Sequence, residues 1–306
     1  FQDRCEFANL GMVIIDEQHR FGVKQRNQLI NKGKDVDVLM LSATPIPQTL
    51  AHSLFLNLDV STLNHSRENK VDNYYVKENS IQSIQKNLEN SLRNKEQIYV
   101  VCPAIEEGER EGIKNVEEIH YHLSREFSMF NVTMLHGRMN AEEKAAILND
   151  FSSGKIDVLV STSVIEVGID VHNANTIVIY NAEQFGLATL HQMRGRVGRG
   201  TERGSCYLLS SKDNEENIER LEALVKYDDG FKLSEIDLKQ RGMGDLLGLR
   251  QSGLPQFYLA NIFDDIEILE TSKKDAEYLI ENLDGFTALK AHVEKLVENK
   301  IKENSQ

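Results

Sequence analysis

The stretch 158–170, VLVSTSVIEVGID, opens on a run that is apolar at every position, passes through three hydroxyls and ends at Gly168-Ile169-Asp170. A short β-branched run without polar alternation is the signature of a strand covered by helices on both faces of a parallel sheet. The same signature recurs upstream at 12–15, 38–41, 98–101 and 132–135, and downstream at 176–180 and 206–209. Helical patterns at 80–92, 116–127, 141–151 and 215–225 lie among these runs. The alternation predicts an α/β fold of parallel sheets with flanking helices.

At 306 residues the chain has room for about two domains, each long enough to bury a core. Two strand runs precede Asp59 and five follow residue 97, so 1–63 reads as the end of one domain, too small to be a doubly wound sheet by itself. The polar stretch 64–78 reads as a linker and 79–231 as the second α/β domain. Beyond Phe231 the strand pattern stops, and 232–306 becomes glycine-punctuated, then helical and acidic. Its last 43 residues hold eleven carboxylates and six lysines, the composition of a solvated helical face.

With 40% hydrophobic and 27% charged residues, four prolines and no apolar run of helix-spanning length, the composition predicts a soluble globular protein and argues against collagenous, disordered and membrane-spanning classes. The three cysteines, Cys5, Cys102 and Cys206, fit no paired ligand spacing and read as buried thiols of a reducing cytoplasm. The net charge of −13 is the reverse of a purely electrostatic nucleic-acid binder, so contact with nucleic acid must rest on local basic sites. The chain opens on Phe1 without the basic start or apolar core of a signal peptide, as expected of a piece of a longer chain.

Four stretches carry chemistry. The strand run 12–15 leads directly into Asp16-Glu17-Gln18-His19. Adjacent carboxylates at the carboxyl edge of a sheet can hold Mg²⁺ through water with one acid and orient a nucleophilic water with the next, although the same residues also make ordinary surface turns. The run 38–41 ends in Ser42-Ala43-Thr44-Pro45, two hydroxyls placed to bond His19 or its neighbours, or a plain turn stopped by proline. Ser161-Thr162-Ser163 and Gly168 to Asp170 suit phosphate oxygens and a ribose hydroxyl, or a common turn. The sharpest signal is HQMRGRVGRG, 191–200: three arginines interleaved with glycines put forked donors on a tightly turning backbone, suited to transferring phosphoryl oxygens.

In this order and spacing the four stretches resemble the motor of superfamily-two helicases. DEQHRFGVKQR (16–26), LSATPIPQTL (41–50), VCPAIEE (101–107), NAEQFGLATLHQMRGRVGRG (181–200) and RGMGDLLGLRQSGLP (241–255) resemble the RecG family within it. The resemblance covers nearly the whole chain. It implies RecA-like parallel sheets of the P-loop NTPase type plus a small, mainly helical C-terminal domain. It also implies an ATP-dependent motor that moves along duplex DNA and remodels stalled forks and Holliday junctions in recombination and repair. The cofactors it implies are ATP and Mg²⁺. Asp16 would hold the metal and Glu17 activate water, while Gln192, Arg196 and Arg199 would face the γ-phosphate and Gly168 and Asp170 the nucleotide. His19, Ser42 and Thr44 would couple the sites. His136 and Thr162 fall where the family contacts the DNA backbone or coupling path, and Arg241, Gly242, Arg250 and Gln251 fall in its translocation element. Implied partners are branched duplex DNA and a single-strand DNA-binding protein, for a monomer in the bacterial cytoplasm, associated with the nucleoid and not with a membrane.

The chain departs from the family at Gln48, where arginine is usual, and at Met243, where proline is usual. It also contains no Gly-x₄-Gly-Lys-Ser/Thr cradle, since neither Gly33-Lys34 nor Gly154-Lys155 has the flanking residues. The expectation is half an ATP site, with the cradle and the family's junction-reading wedge domain upstream, and little hydrolysis by these residues alone. Three alternatives stand beside it. The transcription-repair coupling translocase shares the motor and the last element, but Cys102-Pro103, Glu106-Glu107 and 254–262 favour RecG. The others are a non-catalytic DNA-binding and interaction module, and a nucleotide-binding α/β protein unrelated to DNA.

Overall fold

In a strand whose every side chain is apolar, successive residues point to opposite faces, so both faces must be covered. The computed structural model describes residues 5–16, 23–42, 61, 63, 71–77, 80–105, 113–163, 171–200, 203–210, 214–241 and 265–304. Its larger sheet satisfies this requirement. Six parallel strands, β3 (Val71–Val76), β4 (Gln97–Val101), β5 (Val132–Leu135), β6 (Val158–Ser161), β7 (Ala174–Ile179) and β8 (Gly204–Leu209), lie in the order β3-β8-β7-β4-β6-β5. Ile98, Val100 and Cys102 pack on one face with Leu88 and Leu92 of α2 (Gln85–Arg93) and Ile119 and Leu123 of α3 (Val116–Glu126). Tyr99 and Val101 pack on the other with Phe151 of α4 (Ala141–Ser152), Leu190 and Met193 of α5 (Leu187–Arg194), Leu221 of α6 (Glu215–Lys226) and Leu233 of α7 (Gly230–Arg241).

The path is regular. α2 and α3 carry the chain forward across the sheet on one face, and α4 and α5 carry it back on the other, which gives these crossovers one hand. Each of α3, α4 and α6 begins at an asparagine whose side chain accepts a backbone N–H of the first turn: Asn115, Asn140 and Asn214. β3 lies inside 64–78, the range expected as a linker. Its polar Asp72 and Asn73 hide the pattern because β3 pairs within this sheet only with β8.

Near the N-terminus β1 (Met12–Ile15) and β2 (Asp37–Met40) pair in parallel, with α1 (Val23–Ile30) between them in sequence. Val13, Ile15 and Leu29 form their core. Here only one face is buried: Met12 and Ile14 are 51% and 60% exposed. Cys102 and Cys206 are buried, but Cys5 is exposed, in the irregular segment before β1 where its carbonyl accepts Lys32 Nζ at 2.7 Å. The expectation of three buried thiols therefore fails at Cys5. Burial pushes the Cys206 thiol up to about 12 and the Cys102 thiol higher still, so both stay protonated.

By contacts the described residues fall into two compact units, 5–42 with 71–241, and 61 and 63 with 265–304. The second contains α8 (Ile266–Glu281) and α9 (Thr287–Asn304), joined by a 3₁₀ turn. No helix among the described residues is long and apolar enough to cross a membrane.

Within the larger unit α5 is anchored by a buried charge. Arg194, 3% exposed, donates to the carbonyls of Leu224 (2.9 Å), Tyr227 (3.0 Å) and Asp228 (3.2 Å) and approaches the Asp228 carboxylate at 3.4 Å. Its Nη2 lies 2.7 Å from His191 Nδ1, which must accept the bond and so be unprotonated. Burial, followed by the positive charge of Arg194, lowers the His191 pKa from 6.5 to about 4, against the opposing carboxylates of Asp228 and Asp229. The unfolded chain takes this proton near 6.5 and the folded one only near 4, so stability is full above 7 and falls as the pH drops through that window. The predicted loss is about 3 kcal/mol by pH 4. In urea unfolding at pH 7 and pH 4.5, His191→Asn, which keeps an acceptor without the titration, should lose less stability than the parent. Equal losses would show that His191 does not titrate as described.

Candidate functional site at the carboxyl edge of the sheets

Ligands of open α/β sheets bind outside the carboxyl ends of the strands, where neighbouring strands send their connections in opposite directions. β4 and β7 are such neighbours: β4 leads forward through α3 and β7 back through α5. At this point Asn181 adopts a left-handed conformation (φ 46°, ψ 51°), and its Oδ1 accepts the Lys114 N–H at 2.9 Å. Its Nδ2 donates to Glu183 Oε1 at 3.2 Å, and the Glu183 carbonyl accepts Arg220 Nη2 at 2.6 Å. The crevice floor is therefore a buried polar network.

Two strand ends further along, Leu135 of β5 is in register with Ser161 of β6. His136 and Thr162 are the next residues on these neighbouring strands, so the structure brings the two together, both half-buried. His136 Nδ1 and Ser161 Oγ are buried without a hydrogen-bond partner. At the separate β1–β2 sheet, Asp16 follows β1 directly and is exposed. Leu41 N donates to Ile15 O at 2.8 Å, which places Ser42 at the same edge as Asp16.

The arginine-glycine segment grows out of the C-terminus of α5. Leu187, Leu190 and Met193 are fully buried, and Val197 anchors the loop at 2% exposure. Gly198 has φ +69°, a conformation that penalises any Cβ, and a Cβ on Gly204 would lie 2.7 Å from Gly198 N. The two glycines let the loop press against the start of β8. The three arginines thereby separate. Arg194 turns inward as described, so of the three guanidinium groups that the sequence interleaves with glycine, one is a buried structural group. Arg196 is half-buried, and Arg199 is exposed with its Nε donating to the Gly195 carbonyl at 2.9 Å. Gln192 Nε2 is buried without an acceptor. An unmatched amide donor and two arginines within eight residues of one loop are the kind of group that suits anionic oxygens.

Glu17, His19, Thr44, Gly168, Asp170, Gly242, Arg250 and Gln251 lie outside the described residues. Arg241 is the last residue of α7, and its side chain is outside them too. Among the described residues no group of three or more His, Cys, Asp or Glu could hold a metal. One contact at the base of this segment escaped the sequence reading. Asp237, 2% exposed, accepts the Leu187 N–H at 3.3 Å through Oδ1 and so caps α5. The sequence carries no local signal for it, because its partner Leu187 lies fifty residues away.

Comparison with known proteins agrees with this arrangement. Residues 79–201 match the helicase conserved C-terminal domain, and 227–304 match ATP-dependent DNA helicase RecG, domain 3, C-terminal. The chain is 41% identical over 304 residues, 98% of its length, to ATP-dependent DNA helicase RecG of Staphylococcus epidermidis, and spans 45% of that protein. It is 43% identical over 282 residues to the Bacillus subtilis RecG, covering 91% of this chain and 41% of that one. Among solved structures, RecG bound to a three-way DNA junction superposes with a TM-score of 0.65 at 41% identity, covering 87% of this chain and 34% of that one. The S. cerevisiae Dbp5 structure bound to RNA and ADP BeF3, at 17% identity and TM-score 0.51 over 75% of this chain and 63% of that one, shares the fold. The chain spans less than half the length of these curated relatives, and over that span it belongs to the RecG family of helicases.

Proposed function

We propose that this chain is the second-domain side of an ATP-dependent double-strand DNA translocase that remodels branched DNA. The observation that carries the proposal is the arginine-glycine loop. Its inward Arg194 fixes the base of the loop, and the same short segment carries Arg196, Arg199 and the buried, acceptor-less Gln192 Nε2, in a chain 41% identical to RecG along almost its full length. In this reading 1–63 is the end of the first RecA-like domain, and the exposed face of Met12 and Ile14 is where the rest of that domain closes. The second RecA-like domain begins at β3 and runs to about 231, and 232–306 supplies the translocation element and a helical C-terminal domain.

Asp16 would hold Mg²⁺ when nucleotide is bound, and the metal would supply charge neutralisation at the phosphate oxygens. Glu17 orients the attacking water. Gln192, Arg196 and Arg199 bind the γ-phosphate oxygens from the second domain, with Gly168 and Asp170 at the nucleotide. Ser42, Thr44 and His19 relay the state of the nucleotide. His136 and Thr162, side by side at the ends of β5 and β6, contact the DNA backbone or the relay, and Arg241, Gly242, Arg250 and Gln251 engage the duplex. The structure of RecG on a three-way junction supports branched DNA as the partner. The family resemblance extends the reading to a monomer at the bacterial nucleoid that meets a single-strand DNA-binding protein.

Two measurements test this. In the full-length protein Arg199→Ala should lower DNA-stimulated ATP hydrolysis on the order of 10³-fold, and an unchanged rate would remove Arg199 from the site. The 306 residues alone contain no phosphate-cradling motif and should show no DNA-stimulated turnover, whereas robust hydrolysis by them would contradict the division of the ATP site between two domains.

A further inference from the structure

The arginine-bearing helix α5 is two turns long and would not hold its own position in isolation. Its C-terminal end is held by the end of α6 and the turn that leads into α7, and its N-terminal end by α7 itself. At the C-terminal end Arg194 binds the Tyr227 and Asp228 carbonyls, and the adjoining Asp229 starts α7 by accepting the Phe231 N–H at 2.8 Å through Oδ1. At the N-terminal end Gly186 offers no capping side chain, and the buried Asp237 carboxylate of α7 takes that place at the Leu187 N–H. Leu187 and Arg194 are about 10 Å apart along α5, and Asp229 and Asp237 about 12 Å apart along α7, at ~1.5 Å per residue. The matched separations make the helices an antiparallel pair clamped at both ends.

We infer that Asp237 is a positioning residue for Arg196 and Arg199: through the α5–α7 clamp, α7 sets where the arginine loop stands. The buried carboxylate faces the positive end of the α5 dipole, the favourable orientation for a negative group. α7 runs on to Arg241, so a displacement of α7 carries the arginine loop with it. The assignment rests on the proposed role of the loop at the γ-phosphate, and the test separates the two.

In the full-length protein, ATP turnover with branched DNA is measured for Asp237→Ala, Asp237→Glu and Asp237→Asn beside Arg199→Ala. Asp237→Glu keeps the charge but pushes α5 away by one methylene, and misplacements of this order cost up to about 10²-fold in rate. Asp237→Ala and Asp237→Glu should therefore lower kcat about tenfold or more with KM for ATP within about threefold, and Asp237→Asn, which still offers Oδ1, should recover most of the loss. If Asp237→Ala does not fold, Asp237→Glu decides. Amide exchange across 187–199 reads the clamp without reference to ATP: faster exchange in Asp237→Glu supports it, and unchanged exchange overturns it. Wild-type kcat in a folded Asp237→Glu protein, with Arg199→Ala inactive, also overturns it. Wild-type kcat in Arg199→Ala would instead overturn the γ-phosphate role, and the exchange result would still decide the clamp.

Discussion

A guanidinium group withdrawn from water costs several kcal/mol unless its donors are met. At Arg194 they are met by three carbonyls, a carboxylate and a neutral imidazole, all drawn from α5, the end of α6 and the turn into α7. This one side chain joins three helices at the point where the chain leaves α5 for the arginine-glycine loop. Removing any one acceptor would leave part of a buried charge unmatched, so the joint resists rearrangement. Burial lowers the Arg194 pKa, the expected sign for a cation held in an apolar surround, and the neutral His191 completes its set of partners.

The sheet supplies the other half of the positioning. Because β4, β6 and β7 are covered on both faces, their polar neighbours collect at the strand ends. Ser161, Thr162, His136 and Asn181 all stand at the carboxyl edge, where His136 Nδ1 and Ser161 Oγ are buried without a hydrogen-bond partner. Buried polar atoms are normally satisfied, so the two unmatched ones stand out at the edge where open α/β sheets bind ligands. Asn181 adds a left-handed backbone at a position with a side chain, a strained conformation of the kind stored at functional sites.

How much of this was legible in the sequence depended on local pattern. The runs at 12–15 and 132–135 are the strands β1 and β5 to the residue, and those at 98–101, 158–160, 176–180 and 206–209 fall on their strands within a residue or two, because short, largely apolar β-branched runs mark strands of a parallel sheet whether one face or both are covered. β3 did not, since an edge strand tolerates Asp72 and Asn73. The arginine-glycine segment stood out in the sequence, and the family resemblance singled out Arg196 and Arg199 from it, but the inward, structural place of Arg194 was not legible until the end of α6 and the turn into α7 put carbonyls around it. Asp237 was illegible for the same reason, because a carboxylate's partner fifty residues away leaves no mark on neighbouring positions.

These features converge on one spatial claim, that the loop bearing Arg196 and Arg199 meets the terminal phosphate of a bound triphosphate. The most direct measurement is photolabelling of the full-length protein with an ATP analogue carrying its photoreactive group on the γ-phosphate, followed by mass spectrometry of the labelled peptides. The account predicts that label enters the peptide spanning 191–200 and that excess ATP competes it away. Competable label confined to other segments, with none in 191–200, would contradict it.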